Sequence, residues 1–134
     1  MWANHEELKH TVWFYPKEFL CPCCGVEVMN VDFIKKLDRL RHSFAAPLRI
    51  TSGFRCEKYN AHIGGARFSH HCDGLAADIG CHLSEYRHAL LYHIMLHKFG
   101  GVGIYKNHIH VDMRRTGRNA IWLGGQEMTD CLES

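Results

Sequence analysis

No stretch of the sequence runs to about 18 consecutive apolar residues, the least that spans a bilayer as a helix, so no membrane segment is expected. Charge of one sign is also lacking. Sixteen Lys and Arg against 14 Asp and Glu leave a net charge of +2 with neutral His. That is too little to argue for nucleic acid; it is compatible with an anionic polymer as partner without requiring one. The opening residues, Met1-Trp2-Ala3-Asn4-His5-Glu6-Glu7, have no basic start followed by an apolar run. No signal peptide is therefore expected, and the reading is of a chain made in a reducing cytoplasm with most thiols free. A second Cys-x-x-Cys is missing too, so local sequence supplies only half of a four-thiolate metal site.

What the sequence does have is histidine and cysteine. Twelve His among 134 residues raise the odds of a metal site. Seven Cys is an odd number that cannot pair completely within one chain. The length suits one domain with a single core, and 46% hydrophobic residues is ordinary for a globular protein. The whole chain, 1–134, is read as one domain, with 1–18 a peripheral N-terminal segment and 124–134 a fraying tail.

Taken in order, Val12-Trp13-Phe14-Tyr15-Pro16 reads as an irregular segment or short helix laid on the domain. Cys21-Pro22-Cys23-Cys24-Gly25 has knuckle spacing, a tight turn aiming the Cys21 and Cys24 thiolates at one point. A structural metal there needs two more ligands, which Cys56, Cys72, Cys81 or Cys131 supply only through the fold. A disulfide is the rival, and free structural thiols are the preferred expectation. Asn30 caps a helix from Val31 to Phe44, with Val31, Ile34, Leu37, Leu40, Arg41 and Phe44 near one face. Leu48–Gly53 alternates as a strand and runs into Arg55, an arginine placed to enter a cleft. Cys56–Ile63 is a short helix. Leu75–Ile79 is a buried strand of small residues. Ser84 caps a helix to about Lys98, with Tyr86, Leu90, Ile94 and Phe99 inward. Val102–Tyr105 and Ile109–Met113 form an antiparallel pair turning at Lys106-Asn107, and Ala120–Leu123 adds a last strand. The sum is an α+β domain, a small and mostly antiparallel sheet with helices packed on one side.

The chemistry centres on Ser69-His70-His71-Cys72-Asp73-Gly74-Leu75-Ala76-Ala77-Asp78. His71 and Asp78 are two good ligands separated by a turn and a small-residue strand. Imidazole plus carboxylate suits zinc, and a catalytic zinc takes three protein ligands and keeps one position open. The third is sought in His108-Ile109-His110-Val111-Asp112. A period of two puts His108, His110 and Asp112 on one strand face and Ile109, Val111 and Met113 on the other.

The combination Ser-x-His-x-x-Gly-x-Ala-x-Asp, preceded by Ser52-Gly53-Phe54-Arg55 and followed by His-x-His-x-Asp, closely resembles peptidase family M15. That family comprises zinc D-Ala-D-Ala carboxypeptidases and peptidoglycan endopeptidases. The resemblance spans roughly Phe19 to Arg114. It implies that His71, Asp78 and His110 bind one catalytic zinc ion, that His108 is the second active-site histidine, that Arg55 binds substrate, and that Ser69 holds the loop or the substrate. Some branches carry Glu or Asp three residues before the last ligand as the base; here Asn107 stands there, which favours His108 as the base. Its unperturbed pKa near 6.5 suits proton relay from water to the leaving amine. Arg55 holds a substrate carboxylate or the oxyanion. Asp112 orients a ligand histidine through its outer ring nitrogen.

The resulting expectation is a monomeric zinc hydrolase of peptidoglycan stem peptides, acting on the wall after release from a producing or host cytoplasm, as a phage lysis enzyme does. The other reading is a non-catalytic zinc-containing binding module, for which the hedgehog signalling domain offers the architectural parallel.

Overall fold

The computed structural model describes Trp2 and residues 11–124. The expected frayed tail, beyond Gly124, lies outside them.

Helix α1 spans Val31–Phe44. The Asn30 side chain accepts the Phe33 N–H at 3.0 Å, satisfying one of the first-turn donors. At the other end Ala45 takes the left-handed conformation (φ 60°) and donates its N–H to Arg41 O, and Pro47 follows. The buried stripe is Phe33, Ile34, Leu37 and Leu40. Phe33 was not in the expected stripe. Arg41 was, but its guanidinium lies 4.0 Å from the Trp13 ring instead. Trp13 also donates its N–H to Asp38 Oδ1 at 3.0 Å. The polar side of α1 is therefore partly covered by the N-terminal segment. Trp2, Phe14 and Phe19 join the core itself, and Phe19 ends a short 3-10 turn, Pro16–Phe19.

Strand β1 is Arg49–Ser52, helix α2 is Glu57–His62 and strand β2 is Ala76–Gly80. Helix α3, Ser84–Leu96, starts one residue earlier than the serine-cap expectation required. Leu83 occupies the cap position with extended backbone, and its carbonyl accepts the Arg87 N–H at 2.9 Å. Ser84 is the first helical residue, so its hydroxyl makes no cap. Strands β3 (Gly101–Ile104), β4 (His108–Asp112) and β5 (Ala120–Leu123) complete the sheet.

The strand order is β1-β2-β4-β3-β5. The first three pairings are antiparallel, whereas β5 pairs with β3 in parallel, Gly103 opposite Trp122. The sheet is thus mixed. Strand β4 ends beside the start of β3, and residues 113–119 cross to the other edge of β3 at that same end, so β5 runs in the direction of β3.

One face of the sheet carries Ala77, Ile79, Val102, Ile109 and Val111, all within the core with Leu37, Leu90 and Ile94 from the helices and Phe99 from the segment after α3. Burying these side chains is the main stabilising term, on the order of 1.5–3 kcal/mol for each large one. The opposite face is left for the polar residues of the same strands.

Candidate metal centre

That second face is built by register. Strand β2 presents Ala76, Asp78 and Gly80 on it, and β4 presents Asp112, His110 and His108. The antiparallel pairing sets Ala76 opposite Asp112, Asp78 opposite His110, and Gly80 opposite His108. Asp78 and His110 are direct cross-strand neighbours. The strand period explains which side they share, and only the register explains why they meet.

His71 arrives from the turn before β2. Its backbone N–H donates to Ser69 Oγ at 3.2 Å, and Cys72 and Gly74 donate to Ser69 O and His71 O. Gly74 has φ +70°, and a Cβ there would collide with Val28 O, so the turn requires glycine. Ser69 is buried and fastens the loop through its hydroxyl oxygen.

His71 Nε2, Asp78 Oδ1 and His110 Nδ1 converge. His71 Nε2 is 3.3 Å from Asp78 Oδ1, and His110 Nδ1 is 3.1 Å from the same oxygen. Nitrogen and oxygen ligands about 2.0–2.1 Å from a tetrahedral zinc stand about 3.3–3.4 Å apart, so these separations fit. The outer nitrogens also fit. His71 Nδ1 lies 2.7 Å from Gly53 O, a carbonyl that only accepts, so Nδ1 carries the hydrogen. The inner Nε2 is left as a lone pair, buried and, among the described residues, without a hydrogen-bond partner. His110 Nε2 lies 2.8 Å from Asp112 Oδ2, which likewise holds its hydrogen outward and frees Nδ1 for a cation.

Asp112 is fully buried and is held in turn. Arg114 donates to it through Nε (2.9 Å), Nη2 (2.8 Å) and its backbone N–H (3.1 Å). A Cβ on Gly101 would collide with the Asp112 carboxylate and with Arg114, so this ion pair fits only over a glycine.

The electrostatics describe a place for one positive charge. Burial opposes ionising Asp78, but the His110 and His71 imidazoles packed against the carboxylate outweigh it and hold the carboxyl well below its ordinary range. Burial likewise opposes ionising Asp112, and Arg114 with His110 overcomes it. Burial pushes His71 down, keeping it neutral. Burial also acts against charging His110, yet Asp112 and Asp78 on its two nitrogens raise it overall. Without a metal, the two carboxylates favour a proton on His110 in the gap between them. A divalent ion competes for the same place.

His108 Nε2 is 3.8 Å from Asp78 Oδ2, with about a third of the side chain exposed. The ring stacks on Tyr105, centroids 4.4 Å apart and planes 10° apart. Burial lowers its pKa, so the imidazole is neutral and able to accept a proton at pH 7. Arg55 donates through Nε to Ser52 Oγ (3.1 Å), Nη1 to Asn60 Oδ1 (3.3 Å) and Nη2 to Asp78 Oδ2 (3.3 Å). Among the described residues, three of the five guanidinium N–H groups are thereby engaged and two remain. Asn107 is exposed and its carbonyl accepts the Cys81 N–H. The structure thus gathers His71, Asp78, His108, His110 and Arg55 in one place, with Asp112 behind His110 and Ser69 beneath the His71 turn.

Several contributors escaped the sequence reading. Trp122 on β5 lies 5.3 Å from the His110 ring and donates its Nε1–H to Tyr105 Oη at 3.0 Å. A Cβ on Gly103 would come within 2.6 Å of that indole. Arg87 on α3 donates to the carbonyls of Tyr105 (2.6 Å) and Lys106 (3.2 Å), clamping the loop before His108. None has a local signature, because each depends on which strands become neighbours.

No curated protein matches the chain. The family model described as Peptidase M15 matches residues 12–112. That match takes in the turn of His71, strand β2 with Asp78 and the whole of β4, and the chain belongs to this family of zinc-dependent metallopeptidases.

Proposed function

We propose that the protein hydrolyses peptide bonds in peptidoglycan stem peptides, at a bond involving a D-amino acid, with one zinc ion held by His71 Nε2, Asp78 Oδ1 and His110 Nδ1. The observation that carries this reading is the convergence of two inward ring nitrogens on one carboxylate oxygen. Each imidazole has its outer N–H fixed, on Gly53 O or on Asp112, and turns its inner nitrogen to the same carboxylate oxygen. Three protein ligands leave a fourth position for water or substrate, as catalytic zinc sites do.

Zinc supplies Lewis acidity there, polarising a carbonyl and lowering the pKa of water. The chain's own residues do the rest. His108, neutral and partly exposed, takes the proton and passes it to the leaving amine. Arg55 steadies Asp78 through Nη2 and offers its two remaining N–H groups to a substrate carboxylate or to charge developing on the carbonyl oxygen. Ser69 holds the His71 turn. Asp112, fixed by Arg114, keeps His110 in the ligand tautomer. Tyr105 and Trp122 wall the side on which His108 works.

The peptidoglycan substrate rests on the ordered combination of Ser-Gly-Phe-Arg, Ser-x-His-x-x-Gly-x-Ala-x-Asp and His-x-His-x-Asp. It is tested by mass spectrometry of purified peptidoglycan fragments incubated with the zinc-loaded protein, with chelator and His110→Ala as controls. New fragments that vanish in both controls support the reading. Loss of one terminal alanine identifies a carboxypeptidase, and split stems or cross-links an endopeptidase. Folded, zinc-loaded protein that leaves several wall types uncut overturns it in favour of a binding module.

A further inference from the structure

Four of the seven cysteines, none of them used by the first site, come together in the fold. Cys21, Cys23 and Cys24 lie on the turn after Phe19, and Cys56 lies just past Arg55, 35 residues after Cys21. Their Sγ atoms all fall within 4.8 Å of one another. The individual separations are 3.3 Å for Cys23–Cys56, 3.6 Å for Cys21–Cys56 and 3.9 Å for Cys21–Cys23. Sulfurs about 2.3 Å from a tetrahedral zinc stand about 3.8 Å apart, whereas a disulfide requires about 2.05 Å. The spacing is that of ligands around an ion.

The backbone is shaped around these sulfurs. Gly25, at φ +69°, closes the turn, with its N–H on Cys21 O at 2.8 Å and the Cys21 N–H on Val26 O at 2.8 Å. Cys56 N–H donates to Cys21 Sγ at 3.4 Å, and Tyr59 N–H donates to Cys56 Sγ at 3.4 Å. Such N–H donors stabilise the negative charge of thiolates. The two segments are also stitched beside the cluster: Phe54 donates its N–H to Phe19 O at 3.0 Å, and Gly53 approaches Phe19 so closely that a Cβ would come within 2.6 Å of its Cα. Cys72 and Cys81 remain free thiols outside the cluster.

We propose that Cys21, Cys23, Cys24 and Cys56 bind a second divalent ion of zinc type, in a closed four-thiolate site that fastens the Cys21–Gly25 turn to the segment carrying Arg55. Four sulfur ligands leave no position for water, so the site is structural. Its product is placement. Arg55 adjoins Cys56, and the helix capped by Cys56 supplies Asn60, which accepts from Arg55 Nη1. The four thiols lose their protons to solvent as the ion enters, and no redox step is involved. The sequence reading had the knuckle but took Cys21 and Cys24 as its only local ligands. The structure adds Cys23 and, among the described cysteines, selects Cys56 over Cys72 and Cys81; Cys131 lies outside the described residues.

The test uses the full chain, reduced and loaded with Co²⁺ alone, and reads the visible and near-ultraviolet spectrum together with metal content. Two ions per chain and the intense thiolate-to-cobalt bands of a tetrahedral sulfur site are expected. A His71→Ala/His110→Ala variant should keep one ion and all of those bands. One ion per chain without thiolate bands overturns the proposal, as does an intact mass showing that two of these cysteines have lost their hydrogens to a disulfide in protein purified without oxidant. A Cys23→Ser/Cys24→Ser variant should lose the bands; should it fail to fold, the wild-type titration decides alone. None of these readouts depends on hydrolysis, so the second ion stands or falls separately from the peptidase reading.

Discussion

Two clusters of side chains able to hold a metal ion lie at the two ends of one short segment, Gly53 to Cys56, and they are built in opposite ways. The His71, Asp78 and His110 cluster stands on a sheet. Two of its members are cross-strand partners on β2 and β4, their neighbours on the same strands are core residues, and the ligands are nitrogen and oxygen. The cysteine cluster stands on a turn and a helix cap, uses only sulfur, and is partly exposed, with Cys23 and Cys24 on the surface. The sheet cluster offers three ligands and leaves room for a fourth. The cysteine cluster offers four and leaves none. Chemistry needs the first arrangement and mechanical fastening is served by the second. The segment between them links the two: Gly53 O fixes the His71 ring, Arg55 reaches Asp78, and Cys56 joins the sulfurs.

The comparison breaks most visibly at the sheet cluster. His110→Ala should bring hydrolysis to background and remove one metal ion per chain while leaving the sulfur cluster loaded, as read by metal analysis beside a peptide-release assay. His108→Ala comes next. It should lower kcat by about 10²–10⁴, the range for loss of a general acid–base, with metal content unchanged; a parallel loss of metal would make His108 a ligand instead. Asp112→Asn should weaken metal affinity or activity by about 10–100-fold, measured by competition with a chromophoric chelator, because the His110 tautomer is no longer fixed.

Cys56→Ser sharpens the contrast from the other side. The unfolding midpoint should fall, by about 4 °C for each kcal/mol of lost stabilisation, while the sheet cluster keeps its ion. The residual activity should show a larger change in KM than in kcat, since Arg55 is loosened. The smallest effect is that of acid. His110 is raised above its ordinary pKa because Asp112 and Asp78 favour its charged form over the opposing burial. A proton therefore competes with the ion at Nδ1, and metal affinity should decline as pH falls through that raised value. Equilibrium dialysis at a series of pH values checks the direction.

Much of this was legible in the residues. Asn30, the Ile34–Leu37–Leu40 spacing and the alternation of His108-Ile109-His110-Val111-Asp112 are local patterns, and each produced the element it foretold. The strand period placed both histidines and Asp112 on one side before any fold was known. What could not be read is long-range. That Asp78 stands opposite His110 depends on a register set by the β2–β4 pairing, and that Cys56 completes the knuckle depends on Phe19 and Gly53 lying against each other. The parallel placement of β5, which brings Trp122 beside His110, has no periodic signature either. Leu83 displaced Ser84 from the cap because the backbone bond from Arg87 N–H to Leu83 O fixes the helix start there, whatever side chain occupies the position.

The account is tested most directly by anomalous diffraction at the zinc edge from crystals of the full chain. It predicts two peaks per chain. One should lie among His71 Nε2, Asp78 Oδ1 and His110 Nδ1 with a non-protein ligand in the fourth position, and the other among the sulfurs of Cys21, Cys23, Cys24 and Cys56 with no further ligand. An ion at the sheet cluster with a different ligand set, or no peak there in zinc-loaded protein, would contradict it.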